Sequence, residues 1–128
     1  MGPSDDRRSQ IITDSQAAGR LAACLPKWVY ADAHLHRIYK TAGWKATLMV
    51  INTIGHLAET AWHHPDLHVS YDSVEVKLTT HDAGGLTEKD FDLAIKIEEV
   101  VMWQPGRDAE STLQGTPDEL RFKYIHYD

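Results

Sequence analysis

The stretch "GWKATLMVINTIGHLAETAWHHP" constrains the fold more than any other part of the chain. From residue 44 onward it sets Trp44, Leu48, Ile51, Ile54, Ala58 and Trp62 at steps of three and four, which predicts a long helix with one apolar face. Pro65 stops it, because proline disfavours helical geometry at the residue before it. A one-faced helix needs a second layer, and the flanking segments offer strands. "WVYADAHLHRIYKT" is rich in β-branched and aromatic residues and reads as a strand or hairpin pair through Tyr39, with no strong turn signal. After Pro65, "LHVSY", Asp72 and "SVEVKLTTH" read as an antiparallel hairpin. In it Val74, Val76 and Leu78 face one way, and Glu75, Lys77, Thr79 and His81 the other.

Two further helices complete the pattern. Thr13 or Asp14 can cap "SQAAGRLAACL", which ends at Pro26. Thr87 opens "FDLAIKIEEVVM" with Asp90 three residues on, an acidic form of the capping box. The economical solution is an α+β, two-layer fold: a four-stranded antiparallel sheet with three helices packed on one face. The expected divisions are a disordered tail at residues 1–10, a folded domain at 11–102 and a C-terminal extension at 103–128. The extension carries Trp103, Leu113, Leu120, Phe122, Tyr124 and Ile125. It is too apolar for a disordered tail, reads as an ordered packing segment, and "LRFKYIHY" could add a short strand.

Composition narrows the function. A formal net charge of −6 opposes the phosphate attraction that drives most nucleic-acid binding. Apolar runs as short as "LMVI" cannot span a bilayer, and no secretory signal is visible, so neither nucleic acid nor membrane is an expected partner. The single cysteine, Cys24, excludes an internal disulfide framework and points to a reducing, cytoplasmic setting. It lies in an apolar helical stretch and reads as a buried, inert thiol.

Of eight histidines, His56, His63, His64 and His68 crowd around the end of the long helix. Glu59 and His63 are one turn apart, so the carboxylate can hydrogen-bond the imidazole. His64 points elsewhere, and the two rings can line two walls of a pocket if the strand end bearing His81 folds back to meet them. A helix C-terminus favours a cation, but that alone does not call for two adjacent rings. His56, Glu59 and His63 also form a stripe that could ligate a metal, yet no second ligand pair at diagnostic spacing accompanies it, and no metal is expected. Proton transfer on a small planar substrate suits imidazoles, whose unperturbed pKa lies near neutrality.

The pattern Glu59-x3-His63-His64-Pro65, then Tyr71, His81 and Asp90, resembles the signature of the pterin-4a-carbinolamine dehydratases, also called 4a-hydroxytetrahydrobiopterin dehydratases. "TTHDAGGLTEKDFDLAIKIEEV" and "LPKW" are similar to the same family, and the match covers roughly residues 15 to 102. The resemblance implies the four-stranded, three-helix fold and assembly as homodimers or homotetramers. It implies dehydration of 4a-hydroxytetrahydropterin to quinonoid dihydropterin with no metal or cofactor. His63 and His81 would be the acid–base pair. His64, Pro65 and Tyr71 would hold the pterin, and Glu59 and Asp90 would orient or polarise the histidines. The extension makes the chain similar also to a non-enzymatic offshoot, the pterin-dehydratase-like RuBisCO assembly factors of the carboxysome. That likeness implies a chaperone whose partner is the RuBisCO large subunit.

Overall fold

The computed structural model describes residues 6–128; of the tail expected at residues 1–10, residues 1–5 lie outside this range, and Asp6–Arg8 form one 3-10 turn. In chain order the elements are α1 (Asp14–Cys24), β1 (Val29–Ala31), β2 (His34–Lys40), α2 (Trp44–Ala61), β3 (Asp66–Ser70), β4 (Ser73–Leu78) and α3 (Glu88–Val101). The strands form one four-stranded antiparallel sheet, as the sequence predicts, and their order is β1-β2-β4-β3.

Alternation sets the layers. Leu35, Arg37 and Tyr39 of β2 stand opposite Leu78, Val76 and Val74 of β4, and all six are buried. Against this face pack Ala17 and Leu21 of α1, Val50 and Ile54 of α2, and Phe91, Ala94 and Ile97 of α3. Burying a large side chain of this kind is worth about 1.5–3 kcal/mol, so these residues hold the two layers together. The other sheet face carries His36, Ile38, Glu75 and Lys77 and, among the described residues, has no helical cover.

Three local features depart from the sequence reading. The buried row of α2 is Ala46, Thr47, Val50, Ile54 and Ala58, whereas Trp44 and Leu48 are exposed. Small side chains let the helix lie close to the sheet, and the large residues that dominate a hydrophobic count turn outward. Cys24, expected in the core, is exposed, because α1 buries only Ala17 and Leu21. The β1–β2 turn is Asp32-Ala33, both left-handed, with φ of 53° and 61°. A two-residue hairpin turn needs positive φ at both central positions. Here neither residue is glycine, and such residues cost of order 1 kcal/mol or more each.

A polar cluster ties the sheet to α3. Glu98 accepts from Arg37 Nε (3.0 Å) and a second Arg37 guanidinium nitrogen (3.1 Å), from Tyr39 Oη (2.7 Å) and from Trp28 Nε1 (2.9 Å). Burial pushes the Glu98 carboxyl upward, but the hydrogen bonds from Arg37, Tyr39 and Trp28 outweigh it and hold the group below its usual range. The Tyr39 phenol is pushed well up by burial and by the Glu98 charge.

The C-terminal extension forms no strand. Pairing is confined to one bridge, Thr41 with Ile125, flanked by Ala42 N–H to Tyr124 O and His126 N–H to Lys40 O, both 2.9 Å. Since β1 pairs only with His34–His36, this bridge occupies the part of β2's edge beyond it. Ile125 is buried and Tyr124 partly so. Trp103, Leu113, Leu120 and Phe122 are exposed, so the packing expected of them is not found. Between them the chain turns back so tightly that a Cβ on Gly106 would lie 2.3 Å from the Gln114 carbonyl oxygen.

Candidate active site

The histidine pair begins with the way α2 ends. Ala61 is its last residue and Trp62 turns left-handed (φ 54°, ψ 46°), earlier than Pro65 requires. Trp62 N–H bonds Glu59 O (3.3 Å) and His63 N–H bonds Ala58 O (3.1 Å), the two bonds of a Schellman cap, whose left-handed position glycine usually fills. Because the helix stops there, the i, i+4 relation between Glu59 and His63 does not hold. Glu59 Oε1 instead meets His64 Nε2 at 2.8 Å, in an exposed pair.

His63 is turned inward onto α3, where its Nε2 lies 2.7 Å from Asp90 Oδ1. Asp90 is 0% exposed and sits at the third position of α3, placed there by the capping box of Thr87. Its Oδ2 accepts from Thr87 N–H (2.9 Å) and Thr80 Oγ1 (2.7 Å). Thr80 spends its only hydroxyl proton on Asp90, so in the 2.8 Å contact between the two threonines Thr87 donates to Thr80. Oδ2 is thus filled as an acceptor, and with Asp90 as the carboxylate Oδ1 has only lone pairs to offer, so His63 presents Nε2–H to it. That leaves Nδ1 of His63 as the nitrogen with a lone pair, the arrangement of a carboxylate-oriented base.

The other expected site residues divide into near and far. His81 opens a 3-10 turn (His81–Ala83) immediately after Thr80, so the peptide linking them joins it to the Asp90 cluster, and its exposed ring lies edge-on to His34 at 6.5 Å between centroids. Pro65 leads from His64 into β3. The β3–β4 hairpin thus brings both histidine segments to one end of the sheet. Tyr71 lies at the other end, in the turn, 68% exposed and beside Gly43. Five to six residues at about 3.4 Å each separate it from the histidines. His56 is exposed on α2, and among the described residues no group of three His, Cys, Asp or Glu is arranged to hold a metal.

A groove of about 640 Å³ runs beside His63 between α2 and α3, lined by Leu57, Trp62, Lys89, Leu93 and Lys96 among others. Trp62 forms its exposed wall, 73% accessible, with its ring edge-on to His64 at 5.0 Å. Sequence reasoning missed Thr80, whose hydroxyl completes the Asp90 cluster. Only its place beside His81 could have signalled it. It also treated Trp62 as a core residue, because hydrophobic periodicity cannot see the left-handed turn.

The model of the family "Pterin 4 alpha carbinolamine dehydratase" matches residues 10–100, most of the chain. The chain belongs to this family. A member from Aquifex aeolicus, provisionally named pterin-4-alpha-carbinolamine dehydratase, is 49% identical over 77 residues, 60% of this chain and 78% of its own. One from Chloroflexus aurantiacus with the same provisional name is 40% identical over 90 residues, 70% of this chain and 96% of its own. Among solved structures, a transcriptional coactivator/pterin dehydratase from Brucella melitensis superposes with a TM-score of 0.66 at 26% identity, over 72% of this chain and 99% of that one. A pterin dehydratase-like protein described as a RuBisCO assembly factor of the alpha-carboxysome superposes at 0.50 and 15% identity, over 59% of this chain and 89% of that one, a likeness of fold. The matched family segment contains Glu59, His63, His64, His81 and Asp90 and stops short of the extension.

Proposed function

We propose that the protein dehydrates 4a-hydroxytetrahydropterin to quinonoid dihydropterin, with His63 and His81 together as the acid–base pair. The observation that carries this reading is the bond between His63 and fully buried Asp90, which points the remaining ring nitrogen away from the carboxylate. The reaction breaks the C4a–O bond and needs a proton on the departing hydroxyl, so that water leaves. The ring nitrogen gives up its N–H proton to the second imidazole, and its electrons form the new C=N bond. Atoms and charge balance with one proton delivered and one accepted, and no redox partner is needed. Each proton transfer contributes about 10²–10⁴-fold. His64, Pro65 and the Trp62 wall would hold the planar ring, and Glu59 would orient His64.

The same reading includes self-association, supported by Trp44, Leu48 and Met49, which lie exposed on α2. Among the described residues no helix is long and apolar enough to cross a membrane. An assembly-factor role is the second reading. Four exposed apolar side chains of the extension (Trp103, Leu113, Leu120 and Phe122) favour it, since a partner such as the RuBisCO large subunit could cover them.

The test is turnover. Purified protein should accelerate the decay of 4a-hydroxytetrahydrobiopterin, and His63→Ala or His81→Ala should abolish most of the gain. No acceleration by folded wild-type protein would refute the enzyme. Retained binding to RuBisCO large subunit that is lost on deleting residues 103–128, but not in His81→Ala, would establish the second reading.

A further inference from the structure

We propose that His34 is a positioning residue that holds the ring of His81 in its working orientation. The proposal rests on the dehydratase reading, in which His81 exchanges a proton with substrate. His81 is exposed and opens a short 3-10 turn, so its own backbone does little to fix its ring. What meets that ring is His34, the first residue of β2, at 6.5 Å between centroids and 74° between planes.

His34 is in turn held from three sides. Its Nδ1 lies 2.6 Å from Asp32 O, a carbonyl that can only accept, so Nδ1 carries the proton and the ring plane is set by the turn. The turn is fastened to the segment that leads from β4 to His81 by Thr79 Oγ1, which donates to Ala33 O at 2.7 Å. Behind it, the His36 ring lies tilted at 55° with its centroid 5.9 Å away, itself anchored by Nε2 on Ala31 O (3.0 Å) and by Nδ1 near Glu75 (3.6 Å). Asp32 and Ala33 both keep a left-handed backbone, which aspartate tolerates and alanine does not favour. Backbone strain is kept where surrounding structure imposes it and gathers at functional sites. Here its result is to place one imidazole against another. The rings do not form a metal site, since among the described residues no group of three such side chains is arranged for one.

Two substitutions separate holding the ring from completing the turn. His34→Asn keeps a side-chain donor for Asp32 O and removes the ring. His34→Phe keeps a ring against His81 and gives up the donor. In the full-length protein assayed with 4a-hydroxytetrahydrobiopterin, His34→Asn should lower kcat about tenfold with KM within about twofold, and His34→Phe should stay closer to wild type. The opposite order, or equal activity of His34→Asn and wild type, would overturn the proposal. NMR of the His81 ring gives a readout that does not depend on turnover. Its carbon-bound proton signals should move in His34→Asn while those of His63 stay in place, and unmoved His81 signals would likewise overturn it. Wild-type protein without turnover would refute the dehydratase reading, and the His81 signals would then decide the placement alone.

Discussion

Helix α3 carries two carboxylates that point into the protein, and the proposed function gives them opposite work. Asp90 and Glu98 are two turns apart, about 12 Å along the axis. Each is filled with hydrogen bonds: Asp90 by Thr87, Thr80 and His63, Glu98 by Arg37, Tyr39 and Trp28. The difference lies in the partner. Arg37 stays protonated at any pH of interest and has no lone pair to offer, so its pairing with Glu98 can only hold β2 to α3. His63 has a second nitrogen, and that nitrogen can take or give a proton beside a groove. A carboxylate turned into the fold is thus structural or, on the proposed function, chemical according to what it holds.

The largest expected effect comes from removing the chemical one. Asp90→Ala strips His63, Thr80 and the Thr87 N–H of their acceptor. Turnover should fall about 10²–10³-fold, and stability by about 3 kcal/mol as buried donors lose their partner, read by steady-state kinetics and urea unfolding. Glu98→Gln should reverse the balance. Breaking the Arg37 pair costs about 3–5 kcal/mol, while turnover of the folded fraction stays within about threefold.

The pH dependence follows the same line. The folded-state value of Glu98 lies below its unfolded one. Its contribution is therefore complete above about pH 4.3, the unfolded value, and is lost as pH falls through the folded value. Acid unfolding of wild type and Glu98→Gln should accordingly converge at low pH. Parallel curves down to the acid limit would mean that Glu98 holds no such charge-dependent pair.

Smaller effects sharpen the boundary of the site. Trp62 occupies a left-handed position, and Trp62→Gly should relieve about 1 kcal/mol of backbone strain, seen as a higher unfolding midpoint, while the groove loses its wall and KM rises. An unchanged KM would remove Trp62 from substrate binding. Glu59→Gln should do least: its pair with His64 is exposed, and such pairs are worth about 0–1 kcal/mol.

The sequence shows Asp90 more clearly than Glu98, for a physical reason. Thr87 and Asp90 are three residues apart and obey a local capping rule, so the box and the helix start are readable directly. Glu98 meets Arg37 across 61 residues, and nothing in spacing or composition joins them. The alternation of β4 placed Val74, Val76 and Leu78 correctly because one face is buried and the other open. For α2 the same logic places Ile54 and Ala58 correctly but not Trp44, Leu48 and Trp62, since the helix is apolar over more than one face and Ala46 and Thr47 lie inward in their stead. Glu59 was paired with His63 by helical spacing, and one left-handed residue transferred it to His64. Tyr71 joins the histidines only through the family resemblance, whereas the hairpin carries it to the opposite end of the sheet.

The most direct measurement of the difference between the two carboxylates is the protonation of the His63 ring, by nitrogen-15 NMR of the full-length protein at a pH where the ring is neutral. A proton fixed on Nε2 with a bare Nδ1 is the result expected if Asp90 orients a base. A proton on Nδ1, or rapid exchange between the two nitrogens, would show that Asp90 does not set the ring, and would leave it as structural as Glu98.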